Sequence, residues 1–153
     1  MNLQKLQEEL TADEGCKFVT YKCTEDKLTF GIGHLVLESD PEYNLPVGTV
    51  VSPDRVTECF DRDIQSVLTD CERLYPDFYS LPEEAQLIIA NMMFNMGRPR
   101  LSKFKGMKDA VDNRDWESAA DEMVDSRWYN QVTNRADRLV ERMRAVTISE
   151  IPV

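Results

Sequence analysis

Asp13-Glu-Gly-Cys-Lys-Phe-Val-Thr-Tyr-Lys-Cys-Thr-Glu-Asp-Lys-Leu-Thr-Phe-Gly-Ile-Gly-His34 contains the change of hydrophobic period that decides how this chain folds. Upstream of it, Leu3, Leu6 and Leu10 recur at helical spacing, so residues 2 to 14 are expected to form a first helix that Gly15 closes. From Phe18 to Leu37 the residues become strand-like, interrupted by the polar turn Thr24-Glu25-Asp26-Lys27, and this predicts a hairpin or small sheet. Glu14 stands at the end of the helix. Gly31 and Gly33 permit tight backbone turns beyond the hairpin.

Further along, a loop carrying Pro41, Pro46 and Gly48 leads to Ser52-Pro53-Asp54. Ser as N-cap, Pro in the first turn and Asp against the positive end of the helix dipole make this triplet a helix start. The helix it opens carries Val56, Phe60, Ile64, Val67, Leu68 and Cys71 and is expected to reach Leu74. A long helix after a small sheet suggests two lobes joined by a rod. Ser80-Leu81-Pro82-Glu83 reads as a capping box that starts a helix running to Met96, ended by Gly97 and Pro99. Further helices are expected at 103 to 112, 115 to 124 and 134 to 145, with a frayed tail from Thr147 to Val153. The fold class is α+β, mainly helical. The expected single domain covers 1–153, with an N-terminal lobe at about 13–60 and a larger helical lobe at about 75–146 that includes the first helix.

The 153 residues amount to one domain, with 42% hydrophobic and 30% charged side chains, ordinary for a globular protein. A net charge of -10 and a pI near 4.6 argue against nucleic-acid or anionic-membrane surfaces, which need clustered Lys and Arg. No apolar run approaches the roughly 20 residues that span a bilayer, and the start lacks a basic segment followed by an apolar core. A cytoplasmic chain without stable membrane insertion is the expectation. Cys16, Cys23, Cys59 and Cys71 form no metal-binding spacing, and Cys16, Cys59 and Cys71 are expected to pack as small apolar side chains. Neither metal nor cofactor is implied.

Three ordered motifs resemble the phage-type lysozymes, the muramidase family typified by the T-even phage enzyme. The first runs from Glu14 through Cys23 and Thr29 to Gly31-Ile-Gly-His34, and is similar to the family pattern of Glu, eight residues, Asp, five residues, Thr. Cys23 stands where that pattern has aspartate. The second, Asn91-Met-Met-Phe-Asn-Met-Gly97, resembles Asn-Met-x-Phe-Gln-Met-Gly. The third, Ser126-Arg-Trp-Tyr-Asn-Gln-Val-Thr-Asn-Arg-Ala136, resembles Ser-Arg-Trp-Tyr-Asn-Gln-x-x-Asn-Arg-Ala. The resemblance implies a lysozyme-like fold with the glycan cleft between the lobes.

It also implies roles. Glycoside hydrolysis takes a protonated carboxylic acid and a second group that activates water or stabilises the oxocarbenium-like centre. Glu14 is the expected acid, with Arg135 as the cation beside it. Thr29 and Cys23 are expected to hold the attacking water in an inverting mechanism. Cys23 has three readings: a thiolate acting as base, a neutral thiol that orients water weakly, or a sulfinic acid resembling the missing carboxylate. Glu14, Glu25 and Asp26 are expected to raise its pKa, and Lys22 to lower it.

His34, the sole histidine, is expected to pair with Asp63 on the long helix in a structural role. Leu35 and Phe94 fall at apolar substrate positions. Asn95 replaces a glutamine and is one methylene shorter. Trp128 is expected to be a core anchor beneath the cleft, and Glu25 to bridge Arg127. The implied function is that of an endolysin, a monomeric muramidase cutting the β-1,4 bond between N-acetylmuramic acid and N-acetylglucosamine in bacterial peptidoglycan. It would be made in the host cytoplasm and reach the wall through a holin. The alternative is a catalytically weakened peptidoglycan-binding or tail-associated structural module.

Overall fold

The computed structural model describes residues 1–149. Helix α1 spans Leu3–Glu14, and Gly15, at φ 75°, closes it with its N–H on Thr11 O at 2.9 Å. Leu6 and Leu10 are fully buried, while Leu3 is exposed. The strand-like stretch forms an antiparallel sheet in the order β1 (Lys17–Lys22), β2 (Leu28–Gly31), β3 (His34–Leu35). Cys23 and Lys27 close the first hairpin through the Cys23 N–H on Lys27 O at 3.0 Å, and Asp26 takes a positive φ of 60° in the turn.

The proline-bearing loop is more ordered than its composition suggests. Residues 48 to 51 run along the outer edge of β1, with the Thr20 N–H on Thr49 O and the Val51 N–H on Phe18 O, both at 2.8 Å. Thr20 anchors the loop: its hydroxyl accepts from the N–H groups of Gly48 and Thr49, each at 3.0 Å, and donates to Pro46 O. A sheet edge that would otherwise display unpaired N–H and C=O groups is covered.

Helix α2 (Pro53–Leu74) starts and ends where its sequence signals place it. Ser52 Oγ accepts from the Arg55 N–H at 3.2 Å, the expected N-cap bond. The chain divides into two compact units, one of residues 3–66 and one of residues 1–2 with 67 onward. In the first, Phe30, Val51, Val56 and Cys59 form a buried cluster against which Ile32 and Val36 pack.

The second unit is helical: α3 (Glu83–Met96), α4 (Arg98–Leu101), α5 (Lys105–Asp112), α6 (Trp116–Val124), α7 (Arg127–Gln131) and α8 (Thr133–Ser149). α8 packs on α3, α6 and α7, and α5 packs on α6. Ten of the fourteen residues of α3 are buried, which explains its lack of a polar stripe. Asp115 caps α6 by accepting from the Ser118 N–H, and Ser126 caps α7 by accepting from Tyr129.

Three expectations need correction. The capping box at Ser80 does not form: Ser80 belongs to a 3-10 turn, Phe78–Ser80, and its N–H is already bonded to Asp77 O at 2.8 Å. Glu83, expected to return to Ser80, accepts from the Asn2 N–H at 2.7 Å instead. Cys59 and Cys71 are buried, but Cys16 is exposed in the link between α1 and β1. The frayed tail is also shorter than expected, since α8 continues to Ser149; the rest of that expectation lies outside the described residues.

Candidate active site

Antiparallel pairing fixes which side chains share a face. Tyr21, Thr29 and Leu35 sit directly opposite one another across the three strands, and Phe30 opposes His34 in the next row. The Phe30–His34 row is buried, with ring centroids 4.9 Å apart. The Tyr21–Thr29–Leu35 row is the other face, and Leu35 is 46% exposed there. Cys23 lies two residues beyond Tyr21.

Glu14 is half-buried and its carboxyl lies against the backbone of Gly33. A β-carbon at position 33 would sit 2.7 Å from Glu14 Oε1, so only glycine leaves room for the acid in this place. Gly33 also has φ 63°, which any L side chain would adopt at a cost. Gly31, at the same φ, lies against Val56, where a β-carbon would come within 3.0 Å of a methyl group. The two glycines thus hold different things: one seats the candidate acid, the other lets the sheet approach α2.

Thr29 is almost fully enclosed and its hydroxyl donates to Lys27 O at 2.9 Å. That bond turns the lone pairs of Oγ1 away from the carbonyl, so the oxygen can accept from a water. Cys23 is half-buried and lies beside this hydroxyl. Burial pushes its thiol pKa up. The backbone N–H groups of Lys27 and Glu25 lead the groups that outweigh burial and the Glu25 carboxylate, so the net shift is downward. Of the acids expected to raise it, Glu25 does so, but the turn directs two amide donors at the sulfur, and these outweigh it. Tyr21 was not singled out from sequence. Burial raises its phenol, and the nearby Glu14 and Cys23 charges raise it further, which brings all three groups together. Its ring also carries the Lys17 ammonium at 4.1 Å. The signal was available in its position two residues before Cys23 on a strand.

His34 Nδ1 lies 2.7 Å from Asp63 Oδ2, the expected pair, and Nε2 lies 2.8 Å from Asp40 Oδ2. Asp40 lies in the loop that follows β3. It is buried, accepts from the Leu37 N–H at 2.9 Å, and faces Arg55 at 3.1 Å. Arg55 also grips Glu42 through Nε and Nη2 at 3.1 and 3.0 Å. Burial alone would lower the His34 pKa, but the two carboxylates raise it on balance. Burial alone would raise Asp40, but Leu37, His34 and Arg55 lower it.

In the helical unit, Trp128 is buried and its Nε1 donates to Asn95 Oδ1 at 2.7 Å, so the shorter side chain still reaches the indole. Phe104 meets Trp128 edge-on at 6.3 Å. Phe94 is half-buried. Arg135 Nε donates to Asn91 Oδ1 at 2.8 Å, joining the second and third motifs.

An acid held at a helix end, with water-orienting groups on the adjoining hairpin, is the equipment of a glycoside hydrolase, and that is the class of this chain. Comparison with known proteins gives the family: the phage lysozyme model matches residues 11–145, so the chain belongs to the phage lysozymes, peptidoglycan-lytic enzymes. It is 27% identical to probable T4-type lysozyme 2 of Dictyostelium discoideum, across 97% of this chain and 98% of that protein. It is 29% identical to the pre-baseplate central spike protein Gp5 of Enterobacteria phage T4, with 88% of this chain aligned to 26% of that protein. Peptidoglycan hydrolase gp36 of Pseudomonas phage phiKMV is 28% identical, with 90% of this chain aligned to 15% of that one.

Proposed function

We propose that the chain is a muramidase that hydrolyses the β-1,4 bond between N-acetylmuramic acid and N-acetylglucosamine, with Glu14 as general acid and Cys23 and Thr29 handling the water. The observation that carries this reading is the Glu14 carboxyl seated on Gly33, within the same unit as a thiol whose pKa is lowered by the hairpin it sits on. In the reaction, Glu14 gives its proton to the leaving glycosidic oxygen as the C1–O bond breaks. Thr29 Oγ1 accepts one hydrogen of the attacking water. The Cys23 thiolate takes the other proton as the new C1–O bond forms on the opposite face, inverting the anomeric centre. Leu35, Phe94 and Asn95 are the proposed substrate contacts, and Arg135 is a proposed supporting residue.

The wider setting is that of an endolysin: a monomer made in the host cytoplasm, released to the wall through a holin and causing lysis. Among the described residues no helix is long and apolar enough to cross a membrane. The second reading, a weakened wall-binding or tail-associated module, is favoured by one observation, the lack of a carboxylate at position 23.

Turbidity clearing of purified peptidoglycan by wild type, Glu14→Gln, Cys23→Ser and Cys23→Asp separates the two. Clearing by wild type that both Glu14→Gln and Cys23→Ser abolish is the expected outcome. An inert wild type rescued by Cys23→Asp would establish the second reading. Iodoacetamide labelling supplies a parallel check: the labelling rate of Cys23 should rise with pH about a midpoint below that of an ordinary thiol.

A further inference from the structure

The charge of this chain is unevenly laid out. Arg98, Arg100, Lys103, Lys105 and Lys108 place five of its 18 basic residues, and none of its 28 acidic ones, within eleven consecutive positions. Some of these cations have structural partners. Arg100 donates to Gln131 Oε1 at 2.9 Å, and Lys108 pairs with Asp112 at 2.7 Å and lies over the Tyr75 ring. Arg98 is differently placed. At the start of α4 it meets Arg73, from the last turn of α2, around a concavity of about 230 Å³ completed by Leu74, Pro99 and Ser102.

The two guanidiniums share one carboxylate. Asp70 Oδ1 lies 3.5 Å from Arg98 Nε and 3.8 Å from Arg73 Nη1, both longer than a charge-assisted hydrogen bond of about 2.7–2.9 Å. The pair therefore keeps a net positive charge, exposed and loosely held, which an incoming anion can engage through the planar donor fork of either arginine. The remainder of a chain at -10 repels polyanions, whereas at this concavity an anionic group meets two guanidiniums against one carboxylate.

We propose that the Arg73–Arg98 concavity is a secondary binding site for the carboxylate groups of peptidoglycan stem peptides. The identity of this ligand rests on the muramidase reading; the anion site itself does not. It gives a strongly acidic protein a means of holding a polyanionic wall.

The test is co-sedimentation of the full chain with purified sacculi, in a Glu14→Gln background so that binding is read without hydrolysis. Arg73→Gln/Arg98→Gln should bind about three- to tenfold more weakly at low salt, the range for two exposed charge contacts, with the gap closing at moderate salt. Arg98→Lys should retain most of the binding. A control, Arg62→Gln/Arg144→Gln, makes the same charge change elsewhere and should stay within about twofold of the parent. Amidation of the sacculus carboxyls should erase the difference. The proposal is overturned if the double variant binds like its parent, if the control loses as much, or if stripping phosphate polymers from the wall, rather than amidation, removes the difference. Failure of the unsubstituted enzyme to clear peptidoglycan would sink the muramidase reading alone, since this assay does not depend on turnover.

Discussion

The two units of this protein are held by different forces. Around α3, the helical unit buries Leu87, Ile88, Ile89, Met92 and Met93 to 1% exposure or less, and its stability comes from apolar area and close packing. The sheet-bearing unit has a small apolar cluster and a buried ionic set, His34, Asp40, Asp63, Arg55 and Glu42. The first kind of core is insensitive to pH. The second places charges where protonation must change stability. The candidate acid and thiol both lie in the second, so the chemistry is built on the more titratable scaffold.

The contrast can be broken from either side. Ile88→Ala removes a fully buried side chain from α3 and should cost about 4 kcal/mol by chemical denaturation, with little dependence on pH. Asp40→Ala leaves one nitrogen of the buried His34 without its carboxylate and takes from Arg55 one of its acidic partners, Glu42 remaining, and should cost about 3 kcal/mol near neutral pH. Amide exchange should place that loss in residues 28–37, which would mark the ionic set as local to its unit. Gly33→Ala forces a side chain into a φ of 63° and against the Glu14 carboxyl. It should cost about 2 kcal/mol and also abolish clearing, whereas an active Gly33→Ala enzyme would show that Glu14 need not sit where it does.

Titration sharpens the comparison. Because the folded His34 pKa is raised, its contribution is fully present below the unfolded value of about 6.5 and is lost as pH rises through the folded one. Over that interval stability should fall with a slope of at most about 1.4 kcal/mol per pH unit, and His34→Asn should flatten it. Asp40, with a lowered pKa, acts at the other end: its contribution is present above about 3.9 and is lost as pH falls through the folded value. Ser52→Ala, which removes the α2 cap, should give the smallest effect, about 1 kcal/mol in thermal unfolding.

Much of the fold was legible because local signals and tertiary demands agreed. Ser52-Pro53-Asp54 started α2, Gly15 ended α1, and the polar turn at Thr24–Lys27 separated β1 from β2. The capping box at Ser80 was misleading because a competing 3-10 turn had already taken its backbone donor. The short helices α4 and α7 escaped notice, since four or five residues carry too little periodicity to read.

Sequence by itself determined the family, the order of the longer helices and the sheet, and the residue types at positions 14, 23 and 29, because these are properties of spacing and identity. Tertiary structure alone decided what surrounds them. It closed His34 between two carboxylates rather than one, set Glu14 on a glycine nineteen residues away in the chain, and pointed two backbone amides at the Cys23 sulfur, reversing the shift that the neighbouring acids suggested. The first two environments depend on how distant segments meet and the third on backbone direction within one turn, and none can be summed from the nearest charges along the chain.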